Sequence, residues 1–157
     1  MRLEYFQLID RIVELKLADG TIISEATVPA ESTIFEGHFP GYPLLPGVLM
    51  IEAMAQTSGW LVVAANNYER MAFLASVKLA KFRSFVTPGQ MMSLSAKMAH
   101  EGSGYAVLDA RGTVDGKLVC DATLTLRVMN FPTPHVREQM LAVAQRIGLS
   151  GGVPANV

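Results

Sequence analysis

Residues 48–65 read VLMIEAMAQTSGWLVVAA, and the rest of the chain has to be arranged around them. Apolar side chains stand at Val48, Leu49, Met50, Ile51, Ala53, Met54 and Ala55, and again through 60–63, so they occupy almost every side of a helix. A helix that is apolar all round is buried all round. Pro46 and Gly47 precede it, where proline is tolerated in a first turn, and Asn66-Asn67 follow as acceptable ends. Its length is close to that of a membrane span. However, Glu52, Gln56, Thr57 and Ser58 lie inside it, and a carboxylate at bilayer depth is costly. The reading is a helix buried in a soluble fold, with no membrane span.

Upstream, residues 29–47 carry Pro29, Pro40, Pro43 and Pro46 with Gly37, Gly41 and Gly47, and read as loop. Residues 5–9 read as a short helix or turn. From Arg11 the pattern alternates, with Ile12, Glu14 and Lys16 on one face and Val13, Leu15 and Leu17 on the other. Asp19-Gly20 then predicts a hairpin with a type I′ turn into a second strand over 21–28. Downstream, 71–82, 91–100, 105–114 and 118–129 alternate or are β-branched. Pro88-Gly89, Gly102-Ser103-Gly104 and Asp115-Gly116 divide them, which predicts an antiparallel meander. An amphipathic helix is expected over 136–147, within a C-terminal extension spanning 133–148, and 149–157 is expected to be a loose tail. The whole is read as one α+β domain over 1–157, a long helix wrapped by a curved antiparallel sheet of five to six strands. One sheet leaves part of such a helix bare, so a dimer is expected to complete the cover.

Composition narrows the class. Half the residues are hydrophobic and 17% are charged, which excludes a disordered chain. A net charge of −1 lacks the basic surface that nucleic-acid binding needs. The single Cys120 forms no disulfide within the chain and reads as a small buried apolar residue. An acid near the N-terminus interrupts any export signal, so a cytoplasmic protein is expected.

Glu52 is the strongest chemical anomaly. It sits in LMIEAMA, and an unpaired buried carboxylate costs several kcal/mol unless it is paired or used. Desolvation disfavours its charged form and makes it a candidate proton donor. The alternative is a structural carboxylate that accepts from a loop amide. His38 lies in EGHFPG, where flanking glycines and prolines fix an unusual backbone path. A lone loop histidine is otherwise a surface residue. Gly47 places its amide among the unpaired donors at a helix start, where developing negative charge can be held. The alternative is a glycine needed only for tight entry. Gln56 lies one turn past Glu52, within reach of its carboxyl. His100 and His135 lack such surroundings and read as solvent-exposed. No metal-ligand cluster is visible.

The run GHFPGYPLLPGVLMIEAMAQ, 37–56, closely resembles the active-site segment of the FabZ/FabA-type 3-hydroxyacyl-[acyl-carrier-protein] dehydratases. The resemblance extends from about Tyr5 to Arg127 and includes KFRSFVTPGQ, 81–90. It implies the hotdog fold. It implies dehydration of (3R)-3-hydroxyacyl-ACP to trans-2-enoyl-ACP without metal or organic cofactor. In that family His38 corresponds to the catalytic histidine and Glu52 to the acid contributed across a dimer interface. Gly47 corresponds to the amide that binds the thioester carbonyl, and Gln56 to a supporting glutamine. Glutamate rather than aspartate at 52 points to dehydration without isomerisation. Acyl carrier protein is the implied partner, with Arg70, Lys78, Lys81 and Arg83 as candidate contacts; a hexamer follows by analogy alone. Tyr42, Lys78, Gln90, the short N-terminal part and the C-terminal helix depart from the family pattern. They suggest a specialised branch, such as one serving lipid A acyl chains. The rival readings are a hotdog thioesterase and a non-catalytic acyl-binding module.

Overall fold

The computed structural model describes residues 1–149. Six strands form one antiparallel sheet: β1 (Arg11–Lys16), β2 (Thr21–Thr27), β3 (Arg70–Phe82), β4 (Met91–Gly102), β5 (Tyr105–Val114) and β6 (Lys117–Asn130). Their spatial order is β1-β2-β4-β5-β6-β3, so the expected meander is β4 to β6, and β3 closes the far edge against β6. Helix α2 (Gly47–Ala65) lies against β2 to β6. It is long and apolar enough to cross a membrane by composition, but here it is the centre of a wrapped core.

Alternation explains the wall of that core. Ile22, Ser24 and Ala26 of β2, Met92, Leu94 and Ala96 of β4, and Ala106, Leu108 and Ala110 of β5 are all buried at a spacing of two. The alanines leave room for the large helix residues Met50, Met54, Trp60 and Leu61, which are also buried. Each fully buried Leu or Met contributes about 1.5–3 kcal/mol relative to exposure. Cys120 is buried in the same layer with its thiol 3.9 Å from the Met54 sulfur. Burial pushes that thiol up to about 11.

Four expectations are corrected. The register of β1 shifts between Ile12 and Glu14, a bulge that re-phases the strand. Ile12 and Leu15 therefore both pack on the core, while Val13 and Leu17 are exposed. The β1–β2 connection is a four-residue turn in which Gly20 has φ +61 but Asp19 does not have positive φ, so it is not type I′. The stretch read as loop contains a short helix, α1 (Thr33–Gly37), capped by the Ser32 hydroxyl, which accepts from the Ile34 amide. Finally, α2 is not buried all round. Val48 is 70% exposed, and Glu52, Gln56 and Gly59 continue this half-covered stripe at spacings of four, four and three.

A terminal helix, α3 (Pro134–Arg146), follows β6, with the Thr133 hydroxyl accepting from the Val136 amide at its start. Leu149, expected to begin a loose tail, is buried, with its amide donating to the Ala144 carbonyl. The remainder of that tail, 150–157, lies outside the described residues.

Candidate active site

The site is built where the proline-rich segment delivers the chain into α2. Ser32 caps α1 and donates to the Glu4 carboxylate at 2.7 Å. That bond and nearby backbone amides hold the Glu4 carboxyl below the usual carboxylate range. His38 closes α1, its amide donating to the Ile34 carbonyl. The backbone then loops so that the Leu44 amide donates to the His38 carbonyl at 2.9 Å, and the His38 Nδ1 meets the Leu44 carbonyl at 3.0 Å. A carbonyl only accepts, so Nδ1 carries a proton, and in the neutral ring the lone pair lies on Nε2. The Phe39 ring stacks on the imidazole at 4.1 Å, and a tight turn follows in which Phe39 and Tyr42 exchange backbone hydrogen bonds. Gly41 supplies its positive φ of 73°. The Leu45 amide donates to the Val86 carbonyl and ties the segment to the strand connection beyond β3.

Gly47 opens α2. Its predecessor Pro46 offers no side-chain cap, and the Gly47 amide donates to no acceptor among the described residues. A Cβ here would stand 3.1 Å from the Phe82 ring, a tight fit that would require that ring to shift by a few tenths of an ångström. The amide is thus one of the unpaired donors at the positive end of a 19-residue helix. Phe82, which covers this entry, was not singled out from sequence, because only the folded sheet brings it there.

Glu52 is placed differently from expectation. Apolar residues surround it along the helix, but the sheet covers only part of that helix, and Glu52 remains half-open on the bare stripe. Its Oε1 accepts from Gln56 Nε2 at 3.0 Å. The same Nε2 donates to the Phe6 carbonyl at 2.9 Å, and Gln56 Oε1 accepts from the Leu8 amide at 3.0 Å. Gln56 therefore orients the carboxyl and also pins residues 6–8 to the helix. Both residues line a cavity of about 370 Å³ whose other walls are mostly apolar, including Trp60, Phe73, Leu74, Met140 and Val143. Sequence reasoning missed the contribution of α3 to this cavity, although its amphipathic pattern was the available signal.

The chain alone brings Glu52 and Gln56 together but does not join them to His38. His38 and Glu52 share no hydrogen bond among the described residues. His100 and His135 are exposed, the latter beside Gln139. The four basic candidates do not form one patch. Arg83 is paired with Asp121 at 2.6 Å just past the end of β3, whereas Arg70 begins that strand. No group of three potential metal ligands converges among the described residues.

Residues 2–123 match the family model described as the FabA-like domain. The 3-hydroxyacyl-[acyl-carrier-protein] dehydratase FabZ of Streptococcus mutans is 38% identical over 124 residues, covering 78% of this chain and 87% of that protein. The chain belongs to the FabA-like family, with FabZ-type relatives. The same FabA-like chain is 43% identical over 126 residues to the bifunctional enzyme LpxC/FabZ of Chlorobaculum tepidum, matching 79% of its own length but only 27% of that larger protein. Among solved structures, the dehydratase heterocomplex ApeI:P of Xenorhabdus doucetiae superposes with a TM-score of 0.62 at 16% identity, covering 87% of this chain and 90% of that one. A hypothetical thioesterase with coenzyme A from Streptococcus pneumoniae gives 0.60 at 17%, covering 78% and 88%. At these identities the likeness is one of fold, and that fold is the hotdog.

Proposed function

We propose that this FabA-like protein dehydrates (3R)-3-hydroxyacyl-ACP to trans-2-enoyl-ACP. The observation that carries the reading is the His38 ring, whose Nδ1–H is held by the Leu44 carbonyl so that Nε2 is left as a base. The Gly47 amide donates a hydrogen bond to the thioester oxygen and stabilises the negative charge that develops there. His38 Nε2 takes a proton from C2, and the electron pair moves into the C2–C3 bond. The C3–O bond breaks, and the hydroxyl leaves as water with the proton of Glu52. The proton on His38 returns to Glu52 through solvent, which resets the pair. Gln56 holds the Glu52 carboxyl toward the groove. Glutamate at this position favours dehydration without isomerisation. The working unit is a cytoplasmic homodimer in which His38 and Glu52 of one site come from different subunits. Support comes from the bare stripe on α2 and from β3, an edge strand exposing Phe73, Leu74, Val77 and Leu79.

The test is to incubate the protein with 3-hydroxyacyl-ACP and follow the enoyl product. His38→Ala and Glu52→Gln are each expected to reduce turnover by about 10²- to 10⁴-fold with an unchanged circular dichroism spectrum. Near wild-type rates in either variant overturn the roles. Release of the free carrier thiol without enoyl product would identify a thioesterase instead.

A further inference from the structure

Helix α3 lies beyond the residues that match the family model, yet it forms one bank of the groove that holds Glu52. From this we infer that α3 is a specificity element, and that Met140 and Val143 select among acyl chains by their length and bulk. The inference rests on the dehydratase reading above. The floor of the groove is α2, presenting Glu52, Gln56, Gly59 and Val63 on one helical face, and β3 forms the opposite bank. Polar groups gather at the Glu52 end, and hydrocarbon lines the rest. That distribution suits a ligand with a polar reacting head and an apolar tail. The 11 positions from Glu52 to Val63 span about 16 Å of helix.

Two hydrogen bonds fix the position of α3. Arg137 Nε donates to the Tyr68 carbonyl just past the end of α2, and the Ile12 amide donates to the Ile147 carbonyl at the other end. The helix therefore runs back along α2. Ala144 and Ile147 are buried as anchors, while Met140 and Val143 are half-buried and face the groove. An acyl tail lying on α2 past Gln56 passes between these two side chains and β3.

The experiment measures kcat/KM of the whole chain for 3-hydroxyacyl-ACPs of increasing chain length, for wild type, Met140→Ala and Val143→Phe. Gln139→Ala, on the exposed face, serves as control. Val143→Phe is expected to lower kcat/KM for the longest chain by about tenfold or more relative to the shortest. Met140→Ala should move the preference toward longer or bulkier chains, and it decides the matter alone if Val143→Phe does not fold. Equal effects at every length overturn the inference while leaving dehydration intact. Displacement of a fluorescent fatty acid reads the groove without chemistry. Loss of probe affinity in Val143→Phe, in a protein that dehydrates nothing, would refute the dehydratase reading and keep α3 as the wall.

Discussion

Gln56 shows how much one residue can carry beyond what its spacing suggests. Its distance of four from Glu52 made contact with the carboxyl legible. Its two bonds to Phe6 and Leu8 were not, because they join positions about fifty apart in sequence. Gln56→Leu keeps the volume but strands the part-buried Leu8 amide, an unmet group costing about 1–3 kcal/mol, whereas the exposed Phe6 carbonyl can turn to water. The urea midpoint should fall accordingly. Turnover should fall further than KM rises, since the freed Glu52 carboxyl is misplaced for the reaction rather than for binding. An unchanged kcat in a folded variant would show that Gln56 only staples the N-terminal segment. Glu52 itself taught the opposite lesson: helical neighbours suggested complete burial, but coverage depends on which side the sheet occupies. That choice is not written in residues 48–65.

At the scale of elements, period-two alternation located β3 to β6 within one or two residues, and the all-apolar run located α2. What escaped was local. Helix α1 hides in a stretch whose glycines and prolines signal loop, and it exists because Ser32 caps it and Phe35 is buried. The bulge in β1 brought Ile12 and Leu15, read as lying on opposite faces, onto the same side, since one extra residue re-phases the alternation beyond it. Helix and sheet are joined by a small polar bond that patterning could not reveal. Thr57 Oγ1 donates to the Ala53 carbonyl, so the buried Ser24 hydroxyl is the donor to Thr57 at 2.7 Å. Thr57→Val should therefore destabilise by about 1–3 kcal/mol by leaving the Ser24 hydroxyl unpaired. Ser24→Ala together with Thr57→Val should cost clearly less than the sum of the two single changes. Strict additivity in chemical denaturation would show that the bond does not couple β2 to α2.

For the whole molecule the decisive question is whether a site is complete in one chain. The chain holds Glu52 with Gln56 in one groove and His38 beside Leu44, with no hydrogen bond between the two parts among the described residues. The bare stripe of α2 and the apolar edge strand β3 lie open for a second copy, and a two-fold axis would repeat every contact. Shared sites have a consequence that a self-contained site cannot imitate. His38→Ala protein and Glu52→Gln protein are each inactive as homodimers. After equal mixing with subunit exchange, half the dimers are mixed, and in each of these one site receives both lesions while the other receives neither. Activity should rise to about a quarter of the wild-type value. If His38 and Glu52 of one chain served the same site, every site would keep one lesion and the mixture would stay inactive. Val77→Lys on β3 provides the complement, because a lysine at an apolar edge should yield monomers by light scattering and abolish turnover although no proposed catalytic side chain has changed. Restored activity in the mixture, with loss of activity in the monomeric variant, would make the dimer the catalytic unit.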